Sequence, residues 1–305
     1  MRPEHTPLLP GASVALVGTS GPPAAGLLDR AVAQLKDWGL EPVIGPNADA
    51  RHPRAGYLLG TDQQRAADLQ WAWCDPEIDG VFCIRGGYGA ARILDLLDVD
   101  ALRAAKPKPI FGSSDVTAIA EFWREQLDCG FWFSPMISSA ALLDDEVAKA
   151  SVFAAIFEPA DGRIFTSPDA SSIVRGEATG PLIGGNLAVL AMTTGARGRP
   201  PLNHDGCVAL IEDITEPTYR IDGFFTTLLR SGWFEGVAGV ALGSWTECGP
   251  LDQIRSLAEE LLAPLRVPVV WELGFGHGLA AHTIPLGAIA TLHADDSPRL
   301  QLTGD

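Results

Sequence analysis

The residues of this chain most able to do chemistry are Ser113, Ser114 and Asp115, which stand between a short apolar run and a helical pattern. The helical pattern has apolar residues at three- and four-residue spacing, at Val116, Ile119, Ala120, Phe122, Trp123 and Leu127. A serine at such a strand-to-helix turn can act as a nucleophile, because the turn lifts its hydroxyl out of the sheet and the helix N-terminus offers N–H groups to an oxyanion. The alternative is that one of the three residues only caps the helix.

A second loop with possible function is Arg85-Gly-Gly-Tyr-Gly89, which directly follows the predicted strand 81–84. Paired glycines allow close backbone approach and outward-facing N–H groups, as an oxyanion hole requires, although a tight turn alone also favours them. The loop does not fit a dinucleotide-binding fingerprint, because Arg92 stands where the third glycine belongs. An α/β nucleotide-binding enzyme is therefore disfavoured.

An acid and a base follow two later strands. Glu212 ends the apolar run that begins at Cys207, and an acid that points into a cleft must be paired, although a solvated strand-end acid is the simpler alternative. His277 lies among three glycines in Gly274-Phe-Gly-His-Gly278, and His282 is a rival for its role. The other histidines, at positions 5, 52, 204 and 293, are expected to be solvated. Ser114, Glu212 and His277 together form the residue set of a hydrolase triad, which is defined by roles rather than by chain order.

Several stretches of the chain resemble the LD-carboxypeptidase family, the serine peptidases that include microcin C immunity proteins. The stretches are Arg85-Gly-Gly-Tyr-Gly-Ala-Ala-Arg92, Gly112-Ser-Ser-Asp-Val-Thr-Ala118, Gly180-Pro-Leu-Ile-Gly-Gly-Asn-Leu187, Glu212-Asp-Ile-Thr-Glu-Pro-Thr-Tyr-Arg-Ile-Asp222, and Gly276-His-Gly278 with Ile284-Pro-Leu-Gly287. The resemblance spans positions 85–287. Ser113 stands where the family commonly has an aromatic residue or histidine.

The resemblance implies a cytoplasmic homodimeric peptidase with a Ser-Glu-His triad, in which Ser114 is the nucleophile. Glu212 would orient His277, and the backbone N–H groups of Gly87 and Asp115 would hold the oxyanion. It implies neither a metal nor an organic cofactor. The implied substrate is an amide next to a terminal D-amino acid, as in murein tetrapeptide, or an aminoacyl-nucleotide antibiotic. A non-catalytic binding protein on the same fold is a further alternative.

Composition excludes several other functions. The chain has 305 residues, 22 Lys and Arg against 38 Asp and Glu, and a formal net charge of −16. With no basic run, nucleic acid and anionic membranes are unfavourable partners. No 18-residue apolar span and no secretory h-region are visible, so we expect a cytoplasmic protein that crosses no membrane. The five cysteines are widely spaced and are expected to be reduced, with Cys83 and Cys207 buried.

Short β-branched runs alternate with helical patterns in the first half of the chain, which indicates a parallel sheet covered by helices on both faces. The second half predicts a smaller, strand-rich α/β domain. The sequence therefore predicts an α/β fold with an N-terminal parallel-sheet α/β/α sandwich over residues 1–157, carrying the nucleophile. A turn-rich linker over 158–175 and a C-terminal domain over 176–305, carrying the Glu and the His, would follow. In parallel sheets the chemistry lies at the carboxyl ends of the strands.

Overall fold

The computed structural model describes residues 5–196 and 203–303, and within these ranges the chain forms two compact units. The first unit ends at Pro159 and the second begins at Ala160. Within the same ranges, no helix is long and apolar enough to cross a membrane.

The first unit is built on a parallel sheet. Its strands are β1 (Ser13–Val17), β2 (Glu41–Ile44), β3 (Gly80–Cys83), β4 (Ile110–Gly112) and β5 (Phe131–Phe133). They lie in the order β5-β4-β3-β1-β2, and each neighbouring pair is parallel. The strand order reverses between β1 and β3, and in such sheets ligands bind outside the carboxyl ends of the strands at this switch point.

Helices and short turns connect these strands. The helices are α1 (Leu27–Asp37), α2 (Asp62–Cys74), α3 (Val99–Ala104), α4 (Thr117–Phe122), α5 (Ala140–Leu143) and α6 (Glu146–Phe157). Helix α2 begins with a capping box, in which Thr61 and Gln64 satisfy each other's backbone N–H groups. Three stacked aromatic rings on adjacent strands fix the sheet register, since Phe82 lies 4.5 Å from Phe111 and Phe111 lies 5.9 Å from Trp132 between ring centroids.

The second unit is richer in strands. They are β6 (Ile164–Phe165), β7 (Ser171–Val174), β8 (Gly176–Asn186), β9 (Val208–Ile214), β10 (Gly239–Thr246), β11 (Val269–Trp271), β12 (Ile284–Leu286), β13 (Ile289–Ala294) and β14 (Arg299–Leu302). The sheet order is β6-β14-β13-β8-β9-β10-β11-β7. Strands β8 to β11 pair in parallel, whereas the flanking pairs are antiparallel.

The helices of this unit are α7 (Leu187–Thr193), α8 (Thr218–Arg230) and α9 (Leu251–Leu262). Their apolar faces pack with the central strands into one buried core, which includes Phe225 of α8 and Trp233 just beyond its end. Since β9 and β10 lie at the centre of this core, the residues at their carboxyl ends are held on a rigid support.

The predicted fold class is confirmed, because a parallel α/β unit is followed by a strand-rich α/β unit. Residues 158–175, where we predicted a linker, include β6 and β7, which form the two edges of the second sheet by pairing with β14 and β11. A turn-rich sequence is compatible with such short edge strands. Two short 3₁₀ turns, Ala90–Arg92 and Leu94–Leu96, follow the glycine-rich loop, and a turn at Gly287 separates β12 from β13.

Gly184 in β8 tests how tightly the centre of the second sheet is packed. Its φ is +110°, and a Cβ there would lie 2.2 Å from the carbonyl oxygen of Leu210 on β9. Because backbone strain and overlap with a fixed carbonyl act together, we expect Gly184→Ala to reduce the free energy of unfolding by about 3 kcal/mol or more. Urea unfolding followed by tryptophan fluorescence measures this loss.

Gly223 in α8 provides the matched control, since a Cβ there meets no atom within 4 Å. Gly223→Ala should leave stability unchanged or raise it by up to about 1 kcal/mol, because alanine favours a helix interior. Equal unfolding midpoints for the two variants would contradict a close approach of Gly184 to the Leu210 carbonyl.

Candidate active site

Ser114 stands at a sharp turn between β4 and α4. It is one of the few non-glycine residues with positive φ, at 59°, a conformation that is strained for a side chain with a Cβ. Its side chain is half-buried, whereas Ser113 is 3% exposed. The Ser113 N–H contacts the sulfur of Met136 at 3.2 Å, and its hydroxyl does not cap the 3₁₀ turn Ser114–Val116. The turn therefore presents Ser114 and buries Ser113.

Asp115 joins this turn to the glycine-rich loop. Its carboxylate is 4% exposed and accepts the backbone N–H of Ala90 at 2.8 Å. Burial raises the pKa of Asp115, while hydrogen bonds from Ser20 and Ala90 and the charge of Arg65 oppose the rise. The side chain thus links the loops after β1, β3 and β4 instead of capping the helix that follows it.

Gly86, Gly87 and Gly89 allow the glycine-rich loop to approach Ser114. A Cβ on Gly86 would lie 2.8 Å from Cβ and 2.9 Å from Oγ of Ser114, so a larger residue would collide with the turn. Gly87 and Gly89 have φ of +104° and +133°, which glycine adopts without strain. The Gly21 N–H donates to the carbonyl of Gly86 at 3.0 Å and fixes the loop from the other side.

In the second unit, Glu212 and His277 form a close pair. Nδ1 of His277 lies 2.6 Å from Oε2 of Glu212, and the carboxylate is fully buried. Donation from Nδ1–H leaves the lone pair of a neutral imidazole on Nε2. Burial lowers the pKa of His277, but the charge and hydrogen bond of Glu212, with the charge of Asp213, outweigh it and raise the pKa above its ordinary value.

Asn186 and Asp213 support the other oxygen of Glu212. The Asn186 side chain donates to Glu212 Oε1 at 3.3 Å and to Asp213 at 2.9 Å. Asp213 also accepts the backbone N–H groups of Ala188 and Ile214, at 2.9 and 2.8 Å. Burial and the adjacent Glu212 charge raise the pKa of Asp213 to about 7, against these donors. The two acids and the amide therefore form one connected polar group at the end of β9.

Ser244 holds the backbone of the histidine loop. Its Oγ accepts the N–H groups of His277 and Gly278, both at 2.9 Å. A bulge between Leu242 and Trp245 of β10 inserts an extra residue and turns Ser244 toward this loop. At Gly276, φ is +106° and a Cβ would lie 2.7 Å from Glu212 Oε2, so glycine is needed at this position.

The rival His282 makes different contacts. Its Nε2 lies 2.7 Å from the carbonyl oxygen of Thr166, and its ring packs edge-on against Phe165. These contacts engage the ring with Thr166 and Phe165 rather than with Glu212. The expectation that His204 is solvated is wrong: it is 2% exposed, and its Nδ1 lies 2.6 Å from the Trp233 carbonyl, because the segment around it packs on the core.

The structure thus brings Glu212 and His277 together, and separately places Ser114 and Asp115 beside the glycine loop that contains Gly87. Cys83 and Cys207 are buried, as predicted. Sequence reasoning missed Asp213 and Ser244 and gave Asn186 no role. Asp213 directly follows Glu212, but only the glycine at position 243, within a strand pattern, signals the bulge that aims Ser244. No group of three or more His, Cys, Asp or Glu side chains within 5–196 and 203–303 is arranged to hold a metal.

Two α/β units thus carry a serine at a strand-to-helix turn and a histidine paired with a buried carboxylate. Sequence models of the LD-carboxypeptidase N-terminal and C-terminal domains match residues 14–132 and 179–292. The chain therefore belongs to the LD-carboxypeptidase family.

Relatives and solved structures agree with this membership. The Streptomyces coelicolor protein SCO6489 is 45% identical over 94% of this chain and 92% of its own. The murein tetrapeptide carboxypeptidase of Pseudomonas aeruginosa is 31% identical over 92% and 93%. Two structures share the fold: MccF in complex with glutamyl sulfamoyl guanosine (TM-score 0.86, 21% identity, 98% of both chains) and muramoyltetrapeptide carboxypeptidase from Oxalobacter formigenes (TM-score 0.81, 24% identity, 96% and 99%).

The pairing of His277 with Glu212 predicts how the pKa of His277 responds to a change at Glu212. Glu212→Gln removes the negative charge that favours the imidazolium but leaves an acceptor of the same shape, so the pKa of His277 should fall. Histidine ring resonances followed by NMR over pH 4 to 9 measure the change, with His277→Gln used to assign the signal. A His277 titration that is the same in Glu212→Gln and in the unaltered protein would contradict the pairing.

Proposed function

We propose that this protein is a serine carboxypeptidase that hydrolyses the amide bond before a terminal D-amino acid in murein tetrapeptide. The observation that carries the proposal is the buried His277–Glu212 pair, since a fully buried carboxylate on an imidazole is the base-and-orienting unit of a serine hydrolase. The strained turn at Ser114 supports the proposal as well, because such a turn exposes a serine hydroxyl as a nucleophile. The name and 31% identity of the Pseudomonas aeruginosa relative support the substrate class.

In this mechanism, Nε2 of His277 takes the proton of Ser114 Oγ as that oxygen attacks the carbonyl carbon of the substrate. The proton then passes to the leaving amine, and water hydrolyses the acyl-enzyme by the same steps in reverse order. Glu212 keeps the Nδ1–H tautomer in place and stabilises the imidazolium that forms.

The tetrahedral intermediate carries a negative charge on the former carbonyl oxygen. The backbone N–H groups of Gly87 and Asp115 are the proposed donors to it, and loss of one such donor typically costs about 2.7–4 kcal/mol of transition-state stabilisation. The hydrogen bonds from the Gly21 N–H to the Gly86 carbonyl and from the Ala90 N–H to the Asp115 carboxylate support this assignment, because they restrain the two loops that carry the donors.

A second candidate substrate is an aminoacyl nucleotide. The structure of MccF in complex with glutamyl sulfamoyl guanosine, which shares this fold, is the reason to test this second substrate class. The two substrates are compared directly by incubating the purified protein with an L,D-tetrapeptide and with an aminoacyl sulfamoyl adenylate, and by detecting the products by mass spectrometry. Tight binding of either compound without any product would favour the non-catalytic alternative. The cytoplasmic homodimer stays a prediction of the family resemblance.

The identity of the nucleophile can be tested by replacing each serine of the turn. We expect Ser114→Ala to abolish amide hydrolysis with the fold intact, because the half-buried Ser114 is presented by the turn. Ser113→Ala is the matched control and should keep most of the activity, since Ser113 is buried. Product formation measured by mass spectrometry, with circular dichroism of both variants, decides the matter. An inactive Ser113→Ala beside an active Ser114→Ala would reverse the assignment.

The identity of the base is tested in the same assay. His277→Ala should lower kcat by roughly 10⁴- to 10⁶-fold, and combining it with Ser114→Ala should cause little further loss, because residues of a triad act as a unit. His282→Ala should change KM if it changes anything, since its ring contacts Thr166 and Phe165. Near-normal turnover in His277→Ala would eliminate this triad and leave His282 as the candidate base.

A further inference from the structure

Arg85 is a cation that the proposed triad does not use. Its side chain is exposed, and Nη1 donates to the carbonyl oxygen of Pro22 at 2.5 Å. Within residues 5–196 and 203–303, the guanidinium has no carboxylate partner. The neighbouring arginines differ in this respect, because Arg65 and Arg92 both pair with Asp62, at 2.5 and 2.6 Å. Arg85 therefore keeps its charge unneutralised and most of its N–H donors available.

The position of Arg85 places this charge in the loop that approaches the nucleophile. The next residue, Gly86, is so close to Ser114 that a Cβ would lie 2.9 Å from Oγ. On the opposite side, a Cβ on Gly21 would lie 3.2 Å from the Gly86 carbonyl oxygen and 3.5 Å from Nη1 of Arg85. The guanidinium thus packs on the loop after β1, which also holds Gly86 through the Gly21 N–H. Its bond to Pro22 gives the long side chain one preferred direction and reduces the entropy lost on binding a ligand.

The chemistry of the leaving group calls for such a cation. When the amide before a terminal D-amino acid is cleaved, the leaving nitrogen is bonded to a carbon that carries a carboxylate. That anion must come close to a nucleophile on a chain with a formal net charge of −16. An arginine binds a carboxylate through two parallel N–H···O bonds, which supply both charge and direction.

We propose that Arg85 binds the anionic group carried by the leaving amine and so restricts the site to substrates that end in such a group. This inference rests on the proposed function. The same chemistry has two sources: a terminal carboxylate in a peptide, and the deprotonated acyl sulfamate of an aminoacyl sulfamoyl nucleotide, whose sulfonyl oxygens share the negative charge. Arg85 would be a specificity-determining residue, acting on binding more than on the acid–base steps.

The test compares an L,D-tetrapeptide with a free terminal carboxylate and the same peptide with a terminal carboxamide. For the carboxylate, Arg85→Met should raise KM or lower kcat/KM by about 10- to 100-fold, as expected for losing hydrogen bonds to a charged group. For the carboxamide, Arg85→Met and the unaltered protein should have equal kcat/KM. Arg85→Lys should recover part of the loss, because the charge is restored without the planar fork.

Arg54 provides the matched control, since it is exposed, carries the same charge and lies in the loop after β2. Arg54→Met should leave the preference for the carboxylate unchanged. An equal loss on both peptides in Arg85→Met would show that Arg85 only holds the loop, and an unchanged preference would show that it does not contact the anion. Either result overturns the inference. Repeating the measurement with an aminoacyl sulfamoyl adenylate shows which source of the anion depends on Arg85.

A binding measurement separates failure of this inference from failure of the proposed function. In Ser114→Ala, calorimetry with N-acetyl-D-alanine and with its carboxamide reports recognition of the anion without hydrolysis. If the unaltered protein cleaves neither peptide, the proposed function fails. Tighter binding of the carboxylate that is lost with Arg85→Met would still support the inference, and equal binding of the two compounds would overturn it.

Discussion

The buried charge of Glu212 is the constraint around which the second unit is organised. A carboxylate with no exposure to water is stable only when both of its oxygens are paired. One oxygen meets His277 at 2.6 Å and the other meets the amide of Asn186 at 3.3 Å. Asn186 in turn needs Asp213, which caps the backbone at the start of α7 through Ala188. The sheet order supplies these partners, since Asn186 at the end of β8 lies opposite Glu212 on β9.

The first unit meets a different requirement, which is to hold a strained serine in a fixed place. Positive φ at a residue with a Cβ persists only where the surroundings determine it. Here the surroundings are Gly86, which leaves room for the Ser114 side chain, and Asp115, which ties the turn to Ala90. Arg65 extends this support, because its buried guanidinium donates to carbonyl groups of Thr19, Leu59 and Gly60. Rigidity at the turn thus comes from neighbouring loops rather than from the helix after it.

Much of this could be predicted from sequence, but only where the signal is local. Strands β1 and β2 and helices α2 and α6 can be found from short-range patterns, since the periodicity of each, and the caps of the two helices, lie within or next to the segment. Edge strands β6 and β7 were missed, because pairing with distant strands defines them. At the site, Ser114, Glu212 and His277 could be named from motifs. The roles of Asp213 and Ser244 depend on a bulge and on contacts between loops, which no short-range pattern encodes.

Charged side chains are placed differently in the two units. Among the 38 acidic residues, Glu212 is fully buried, and its carboxylate lies 2.6 Å from Nδ1 of His277, so that its charge acts most strongly on this imidazole. The arginines in and around the serine-turn loops of the first unit differ from one another in their partners. Asp62 pairs with both Arg65 and Arg92, while Arg85 is exposed and has no carboxylate partner among the described residues. In its proposed role, the exposed guanidinium of Arg85 would favour substrates whose leaving group carries an anion.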